Sequence, residues 1–267
     1  MRGVFKCFIF FLLFLTYINH SKAQFNLDSL WNVWNDTTQT DSNRLIAIHD
    51  IALNGYLYSQ PDSAFYFAQI EYDFAESLSN KKWMAKALNI KGISFAIKGN
   101  NEDALLYFKK SLKINEKIGD KKEIAGALNN IGLIYFDLNN FEKALEYYKK
   151  SLQIKEEIGE EKGFFAVSLN NIAGVYGELG NYEKALEYQL KSLKIYEELG
   201  NKMGMARSYN NLGLIYRSQS NFKKALEYFA KTLKISEELG NKKGMADSYN
   251  NIGLIYRSQS NFKKALE

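Results

Sequence analysis

Cysteine, histidine and proline are scarce in this chain of 267 residues, which has one cysteine, two histidines and one proline. The cysteine, Cys7, lies in an N-terminal segment that we expect to be removed, so disulfides cannot stabilise the mature protein. After its removal only His49 remains, which excludes a Cys-His catalytic dyad and a metal site made of His and Cys. Phosphate-binding GxGxxG and GxxxxGK loops are absent from the sequence as well. We therefore predict no catalytic residues, no metal site and no cofactor.

The first 23 residues have the pattern of a secretory signal peptide. Two basic residues, Arg2 and Lys6, precede the apolar run Cys7–Ile18, and a small-x-small cleavage site ends at Ala23. The apolar run is short for a membrane span, although the alternative that the leader stays uncleaved and anchors the protein remains open. We predict an exported protein, periplasmic or extracellular, that is cleaved after Ala23.

The basic charge of the chain belongs mostly to this leader. Without it, Lys and Arg fall from 35 to 32 against 30 Asp and Glu, which leaves a net charge of +2. A balance this close to neutral does not indicate a nucleic acid or an acidic membrane surface as partner.

A repeat of 40 or 41 residues dominates the remaining sequence. It is marked by the asparagines Asn89, Asn129, Asn170, Asn210 and Asn250. Units of this length are too small to bury their own apolar faces, so neighbours must cover one another in a stack. Since such stacks typically bind partners, we predict an all-α solenoid of antiparallel helix pairs with a binding function.

Each unit combines a first helix and a second helix with small residues where they meet. In the first helix, Tyr209, Leu212, Gly213 and Tyr216 fall on one face, and the glycine predicts close approach of a neighbour. The second helix follows a polar turn and carries an alanine with an aromatic residue usually four positions later. These pairs are Ala104 with Phe108, Ala144 with Tyr148, Ala185 with Gln189, and Ala225 with Phe229.

These motifs resemble the tetratricopeptide repeat family over residues 41 to 267. The repeats are longer than the usual ~34 residues, and they are similar to the long-repeat branch of kinesin light chains and Pins-type polarity adaptors. Glutamates stand where the family often ends a unit with proline: Glu116, Glu156, Glu197 and Glu237. The resemblance implies a right-handed solenoid whose concave groove captures a peptide of a partner protein.

The repeat period divides the chain into the following segments: signal peptide 1–23, capping segment 24–40, degenerate repeat 41–80, repeats 81–120, 121–160, 161–200 and 201–240, and truncated repeat 241–267. We expect a short capping helix over 26–36 with Trp31 and Trp34, and a second helix starting at Pro61. Because the chain stops about one turn into a second helix, we expect a fragment of a longer protein.

The asparagine pairs of the first helices are the main candidates for partner binding. They are Asn129, Asn130, Asn170, Asn171, Asn210, Asn211, Asn250 and Asn251. An amide offers a donor and an acceptor to any peptide backbone. The alternative, that they hydrogen-bond neighbouring helices, stays equally open.

Two arginines extend this candidate surface, since Arg217 and Arg257 each follow an asparagine by seven residues and share its helical face. With Phe136 further along, the groove would suit a peptide with an acidic and an apolar part. The alternative is that both arginines are merely solvated.

Two further sets of residues indicate structure more than binding. Glutamates four residues earlier predict a salt-bridged outer face for several members of a lysine row, Lys110, Lys150, Lys191 and Lys231. Aromatics at helical spacing predict core positions for Tyr56, Tyr58, Phe65, Tyr66, Phe67, Tyr72 and Phe74.

Two functions are consistent with the sequence. The first is a scaffold that binds a protein or peptide ligand. The second is the sensory or dimerising arm of a signalling protein with a nucleotide cyclase or histidine kinase domain beyond Glu267. The segments Leu27–Trp31 and Ser59–Ala64 resemble the N-terminal arms of such bacterial proteins, notably in Bacteroidetes-like envelopes. A homodimer is also consistent with the sequence. Attachment to a membrane is expected only through an uncleaved leader or the missing C-terminal part.

Overall fold

The computed structural model of the chain describes residues 26–266, and the predicted signal peptide at 1–23 lies outside them. In this range the chain forms thirteen α-helices and one π-helical segment, with no strand. The all-α prediction of antiparallel helix pairs is therefore confirmed. The described residues divide into an N-terminal unit, 26–158, and a C-terminal unit, 159–266.

The N-terminal unit contains seven of the helices. They are α1 (Leu27–Asn35), α2 (Asp41–Asp50), followed directly by the π-helical segment (Ile51–Tyr56), α3 (Pro61–Ser77), α4 (Lys81–Ile97), α5 (Asn101–Ile118), α6 (Lys121–Asp137) and α7 (Phe141–Glu157). Pro61 is the first residue of α3, as predicted, because the first helical position needs no amide hydrogen.

The C-terminal unit contains the other six helices. They are α8 (Lys162–Glu178), α9 (Tyr182–Glu198), α10 (Lys202–Ser218), α11 (Phe222–Glu238), α12 (Lys242–Ser258) and α13 (Phe262–Leu266). Consecutive helices pack against each other within each unit, and in the complete repeats from residue 81 to 240 the first helix packs most extensively against the second helix of the same repeat.

Asparagine and aspartate side chains start most of these helices. The caps of second helices are Asn100, Asn140, Asn181 and Asn221, and those of first helices are Asn80, Asp120, Asn201 and Asn241. Each side chain accepts a hydrogen bond from the backbone N–H three residues later. Since one such cap stabilises a helix by about 1 kcal/mol, the polar turns both separate the helices and stabilise them.

The recurrent glycine of the first helix touches the aromatic ring of the second. A Cβ atom added at Gly132 would lie 2.8 Å from Tyr148, and one at Gly213 would lie 2.5 Å from Phe229. Gly92 stands in the same relation to Phe108, at 2.6 Å. The third repeat has Ala173 and Gln189 at these positions. Among these four repeats, alanine thus replaces the glycine only where the aromatic ring of the second helix is missing. This confirms the predicted close approach of the two helices.

A serine or threonine of the second helix ties it to the first helix of its repeat. Ser151 Oγ donates to the Ala125 carbonyl at 2.7 Å and Ser192 Oγ to the Ala166 carbonyl at 2.9 Å. The degenerate repeat has Glu71 at this position, fully buried, and Glu71 Oε1 lies 3.0 Å from His49 Nδ1. A contact between a carboxyl group and an imidazole ring therefore replaces the hydroxyl contact at this end.

The predicted capping helix is α1, and two of its tryptophans pack it against the helices that follow. Trp31 packs edge-on against Phe67 at 5.2 Å and Trp34 against Phe74 at 5.3 Å, measured between ring centroids. Arg44 lies over Trp34 and donates from Nε to the Trp34 carbonyl oxygen at 3.1 Å. The cap is therefore attached by aromatic contacts and one charged hydrogen bond.

The prediction that the whole aromatic cluster is core is wrong for two of its members. Tyr58 and Tyr66 are 42% and 61% exposed. Helical spacing identifies the face of a helix, but an aromatic ring at the edge of that face stays partly exposed.

Candidate functional site

The asparagine pairs form hydrogen bonds between neighbouring first helices. Asn130 Nδ2 donates to Asn89 Oδ1 at 3.0 Å in the N-terminal unit. In the C-terminal unit Asn211 Nδ2 donates to Asn170 Oδ1 at 2.8 Å, and Asn251 Nδ2 donates to Asn210 Oδ1 at 3.1 Å. We call these residues the asparagine ladder: Asn89 with Asn130, Asn170 with Asn211, and Asn210 with Asn251. In each bond the second asparagine of one repeat donates to the first asparagine of the repeat before it.

This direction leaves a donor group on the first asparagine of each bond. In Asn89, Asn170 and Asn210 the Oδ1 atom is occupied, while no described protein group accepts from Nδ2. Asn170 and Asn210 are 8% and 6% exposed, so only a small part of each amide reaches solvent. The ladder therefore has a structural role and still offers N–H groups on one face.

The other predicted asparagines differ in their exposure. Asn129 is half-buried and Asn250 is exposed, whereas Asn171 is buried at 3% exposure. Asn211 Nδ2 also lies 3.3 Å from Gln189 Oε1, so Gln189 supports the ladder from a second helix.

Of the two predicted arginines, only Arg217 contacts the ladder. Its Nη1 atom donates to Asn251 Oδ1 at 3.2 Å, and burial lowers the pKa of its guanidinium group. Arg257, at the equivalent position of the next repeat, is exposed.

The prediction that Phe136 forms an apolar part of the groove is wrong. Phe136 is 1% exposed and packs edge-on against Phe141, with ring centroids 5.5 Å apart. Its position in the repeat lies near the end of the first helix, where a large side chain reaches the adjoining second helix.

One candidate residue on a helix of the ladder, Arg207, was missed by the sequence reasoning. Arg207 lies one turn before Asn211 on α10, half-buried, and its Nη2 atom is buried without a hydrogen-bond partner among the described residues. The exchange of Arg207 for Asp247 between two otherwise nearly identical repeats is the signal that identifies this position as variable.

Three of the four lysines in the row form ion pairs with exposed glutamates. Lys150 Nζ lies 2.6 Å from Glu146, Lys191 Nζ 2.6 Å from Glu187, and Lys231 Nζ 3.0 Å from Glu227. The predicted salt-bridged face is confirmed for these three lysines, whereas Lys110 has a leucine four residues before it.

Few side chains in residues 26–266 are of the kinds that bind metal ions or take part in catalysis. No three His, Cys, Asp or Glu side chains in this range are placed to hold a metal ion. His49 packs against Trp83 and bonds Glu71; burial of Glu71 raises its pKa, and the charge of His49 opposes that shift. The helices of the same range are all too short or too polar to cross a membrane.

The sequence profile described as tetratricopeptide repeat matches residues 83–159, 164–238 and 204–267. These ranges cover most of the chain, so it belongs to the tetratricopeptide repeat family, as the repeats predicted. A search of curated proteins gave no significant match. The fold is in general a protein-interaction scaffold and is typically non-catalytic.

Three solved structures share this fold. BtubC (BKLC) from P. vanneervenii has a TM-score of 0.67 at 21% identity, over 78% of this chain and 87% of that one. A STAND signal transduction ATPase with a tetratricopeptide repeat sensor, from Pyrococcus horikoshii, has a TM-score of 0.70 at 21% identity; the match covers 90% of this chain but 38% of that protein. The apo form of RapI has a TM-score of 0.61 at 17% identity, over 90% and 72%.

Proposed function

We propose that the chain is an exported scaffold that binds an extended peptide of a partner protein along the first helices of its repeats. The observation that carries this proposal is the direction of the asparagine ladder. In the C-terminal unit both ladder bonds use the Oδ1 atom of the first asparagine and leave its N–H groups available, so Asn170 and Asn210 supply donors at the same place in two successive repeats.

Donors at a regular spacing suit the carbonyl oxygens of a peptide backbone. Such contacts give affinity without requiring a particular side chain, and neighbouring residues then set specificity. The ladder bonds also fix the orientation of each amide before binding, which reduces the entropy cost of association. In the C-terminal unit the proposed donors that the ladder orients are Asn170 and Asn210.

A substitution of asparagine by aspartate separates the binding role from the structural one. In the variant N170D/N210D each carboxylate still accepts from Asn211 or Asn251, but it can no longer donate and it repels a peptide carbonyl. The matched control is N181D/N221D, which makes the same chemical change at two helix caps, where aspartate is as good as asparagine.

The probe is a displayed library of random 12-residue peptides selected on the immobilised chain. We expect N170D/N210D to bind the selected peptides about tenfold more weakly, since two hydrogen bonds are lost. N181D/N221D should bind like the wild type, and circular dichroism should show equal helicity. Selection of no peptide, or unchanged affinity of N170D/N210D, would overturn the proposal.

The sensory arm of a larger signalling protein is a second candidate, supported by the Pyrococcus horikoshii protein in which similar repeats are described as a sensor. Sequencing the gene downstream of the codon for Glu267 tests it. A transmembrane segment followed by a cyclase or kinase domain would support this candidate, and a stop codon after one more helix would contradict it.

A further inference from the structure

Two second helices of the N-terminal unit expose a large apolar side chain to water. Tyr66 on α3 is 61% exposed and Leu106 on α5 is 46% exposed. They are 40 residues apart, so they occupy the same position in two successive repeats. Exposed apolar side chains on neighbouring elements, surrounded by polar groups, are typical of an interaction surface.

The later repeats close this position with an ion pair. Each has a glutamate there, which binds the lysine four residues further along the same helix. These glutamates are Glu146, Glu187 and Glu227. Leu106 cannot pair in this way, and Lys110 has no carboxylate partner among the described residues. Its Nζ atom instead lies 5.3 Å from the centroid of the Tyr107 ring. The outer face of α3 and α5 is therefore different from that of the later second helices.

The exposed faces of α3 and α5 carry opposite charge. α3 contains no Lys or Arg, and three exposed acids give it a net charge of −3: Asp62, Asp73 and Glu76. α5 exposes four lysines against two glutamates, a net charge of +2: Lys109, Lys110, Lys113, Lys117, Glu102 and Glu116. The next second helix, α7, exposes three lysines and four glutamates and is close to neutral. The separation of charge by helix thus belongs to the first two repeats.

α3 and α5 lie side by side and run in the same direction. Both pack against α4, and each is antiparallel to it. The Phe65 ring of α3 meets the Tyr107 ring of α5 edge-on, with centroids 5.9 Å apart. An acidic helix and a basic helix therefore form the two halves of one surface, and each half has one exposed apolar side chain.

This surface is complementary to itself. A two-fold axis parallel to the helices would place α3 of one copy against α5 of another, and the same contact would form twice. Tyr66 would then face the partner's Leu106. Asp73 would face the partner's Lys113, because these two residues are also 40 apart and lie two turns further along. At the helix starts Asp62 would approach the partner's Glu102, but Lys98 already binds Asp62 in an ion pair.

We propose that the outer face of α3 and α5 is a dimer interface between two copies of this chain, in which each α3 packs against the partner's α5. An apolar centre with a charged rim of matching sign is the usual composition of such an interface. A two-fold axis across the helices would instead place α3 on α3, where like charges repel. The proposed peptide donors lie on first helices, so this inference does not depend on the proposed function.

A lipid surface fits this face less well than a second copy does. Anionic lipids attract clustered lysines such as those of α5, but they would repel the exposed acids of α3. A second copy offers an opposite charge to both helices at once.

Sedimentation velocity of the full chain over a range of concentrations measures the association. L106E introduces the glutamate of the later repeats, which can bind Lys110 as in those repeats, so the fold should be kept. The matched control is L190E on α9, which removes a leucine of 47% exposure and also has a lysine, Lys194, four residues later. We expect the wild type and L190E to form dimers with equal affinity, and L106E to associate at least about tenfold more weakly.

A charge exchange tests which helices face each other. In a dimer of D73K two pairs of lysines would meet, and in a dimer of K113D two pairs of carboxylates would meet. Each variant alone should associate about tenfold more weakly than the wild type. An equimolar mixture should regain the affinity of the wild type, because one copy then supplies two lysines and the other two carboxylates. Circular dichroism verifies that every variant is folded.

A wild type that stays monomeric at every concentration would overturn the proposal and leave this face to a different protein or a lipid surface. Unchanged association of L106E, or an equal loss in L190E, would also overturn it, because Leu106 would then have no particular part. A mixture of folded D73K and K113D that stays monomeric would contradict the pairing of α3 with α5. None of these results bears on peptide selection, so the proposed function is tested separately.

Discussion

Adding a methyl group at Gly213 tests whether ring contact, and not helix propensity, explains the recurrent glycine. The added Cβ atom would lie 2.5 Å from Phe229 Cε1, 2.7 Å from Cδ1 and 2.9 Å from Cζ. Phe229 is fully buried, so its ring cannot move aside into solvent. Overpacking of this kind costs about 1–3 kcal/mol, while replacing a mid-helix glycine by alanine gains about 1 kcal/mol.

The two effects sum to an expected destabilisation of about 1 kcal/mol for G213A. Gly174 provides the matched control in the same unit, because an added Cβ atom there has nothing within 4 Å. G174A should therefore be stabilised by about 1 kcal/mol, through helix propensity alone. The two variants are expected to differ in sign, which makes the comparison independent of the absolute stability.

The repeat 161–200 suggests a second substitution that should compensate for G213A, since Ala173 and Gln189 replace the glycine and the ring there. The double variant G213A/F229Q should be more stable than the sum of its single changes predicts, by about 1–2 kcal/mol of coupling energy. Urea titrations followed by circular dichroism measure the wild type, G174A, G213A, F229Q and the double variant. A stabilised G213A, or additive effects in the double variant, would show that the ring contact does not explain the glycine.

Three further predictions follow from particular groups. Burial raises the pKa of Tyr196 from 10 to about 12, so the folded state holds the phenol proton more tightly than the unfolded state does. The stability that this gives below pH 10 should fall by up to about 3 kcal/mol as the pH rises to 12. In alkaline urea titrations Y196F should show a smaller fall. Replacing Glu71 by alanine leaves His49 without its partner and should destabilise the N-terminal unit by about 1–3 kcal/mol in thermal unfolding, whereas E187A on the exposed outer face should change stability by less than about 0.5 kcal/mol. N-terminal sequencing of protein recovered from a bacterial envelope should begin at Gln24, and a blocked or intact Met1 would contradict cleavage after Ala23.

The fold was predictable from the sequence because its signals are local and repeated. The cap residues, the glycine of the first helix and the alanine of the second act on neighbours within one repeat, and each signal occurs several times. Pro61 was placed correctly as the start of α3 for the same reason, since its missing N–H is tolerated only in the first turn.

The candidate site was predictable only in part. The asparagine positions follow from the period, but their hydrogen bonds join residues 41 positions apart, and the direction of each bond depends on how two repeats pack. Phe136 and Arg207 show the limit of spacing arguments. Both occupy positions on the face of a first helix, yet Phe136 packs into its own repeat while Arg207 keeps an unpaired nitrogen atom.

By itself the sequence determined the repeat period, the alternation of first and second helices, and membership of the tetratricopeptide family. These follow from side-chain size and polarity at fixed intervals, which are properties of the chain alone. Only the tertiary structure decided which amide hydrogens remain available, that Glu71 contacts His49, and that Arg207 Nη2 has no hydrogen-bond partner among the described residues. Each of these depends on groups that meet across helices, where packing determines which atoms touch and which lose contact with water.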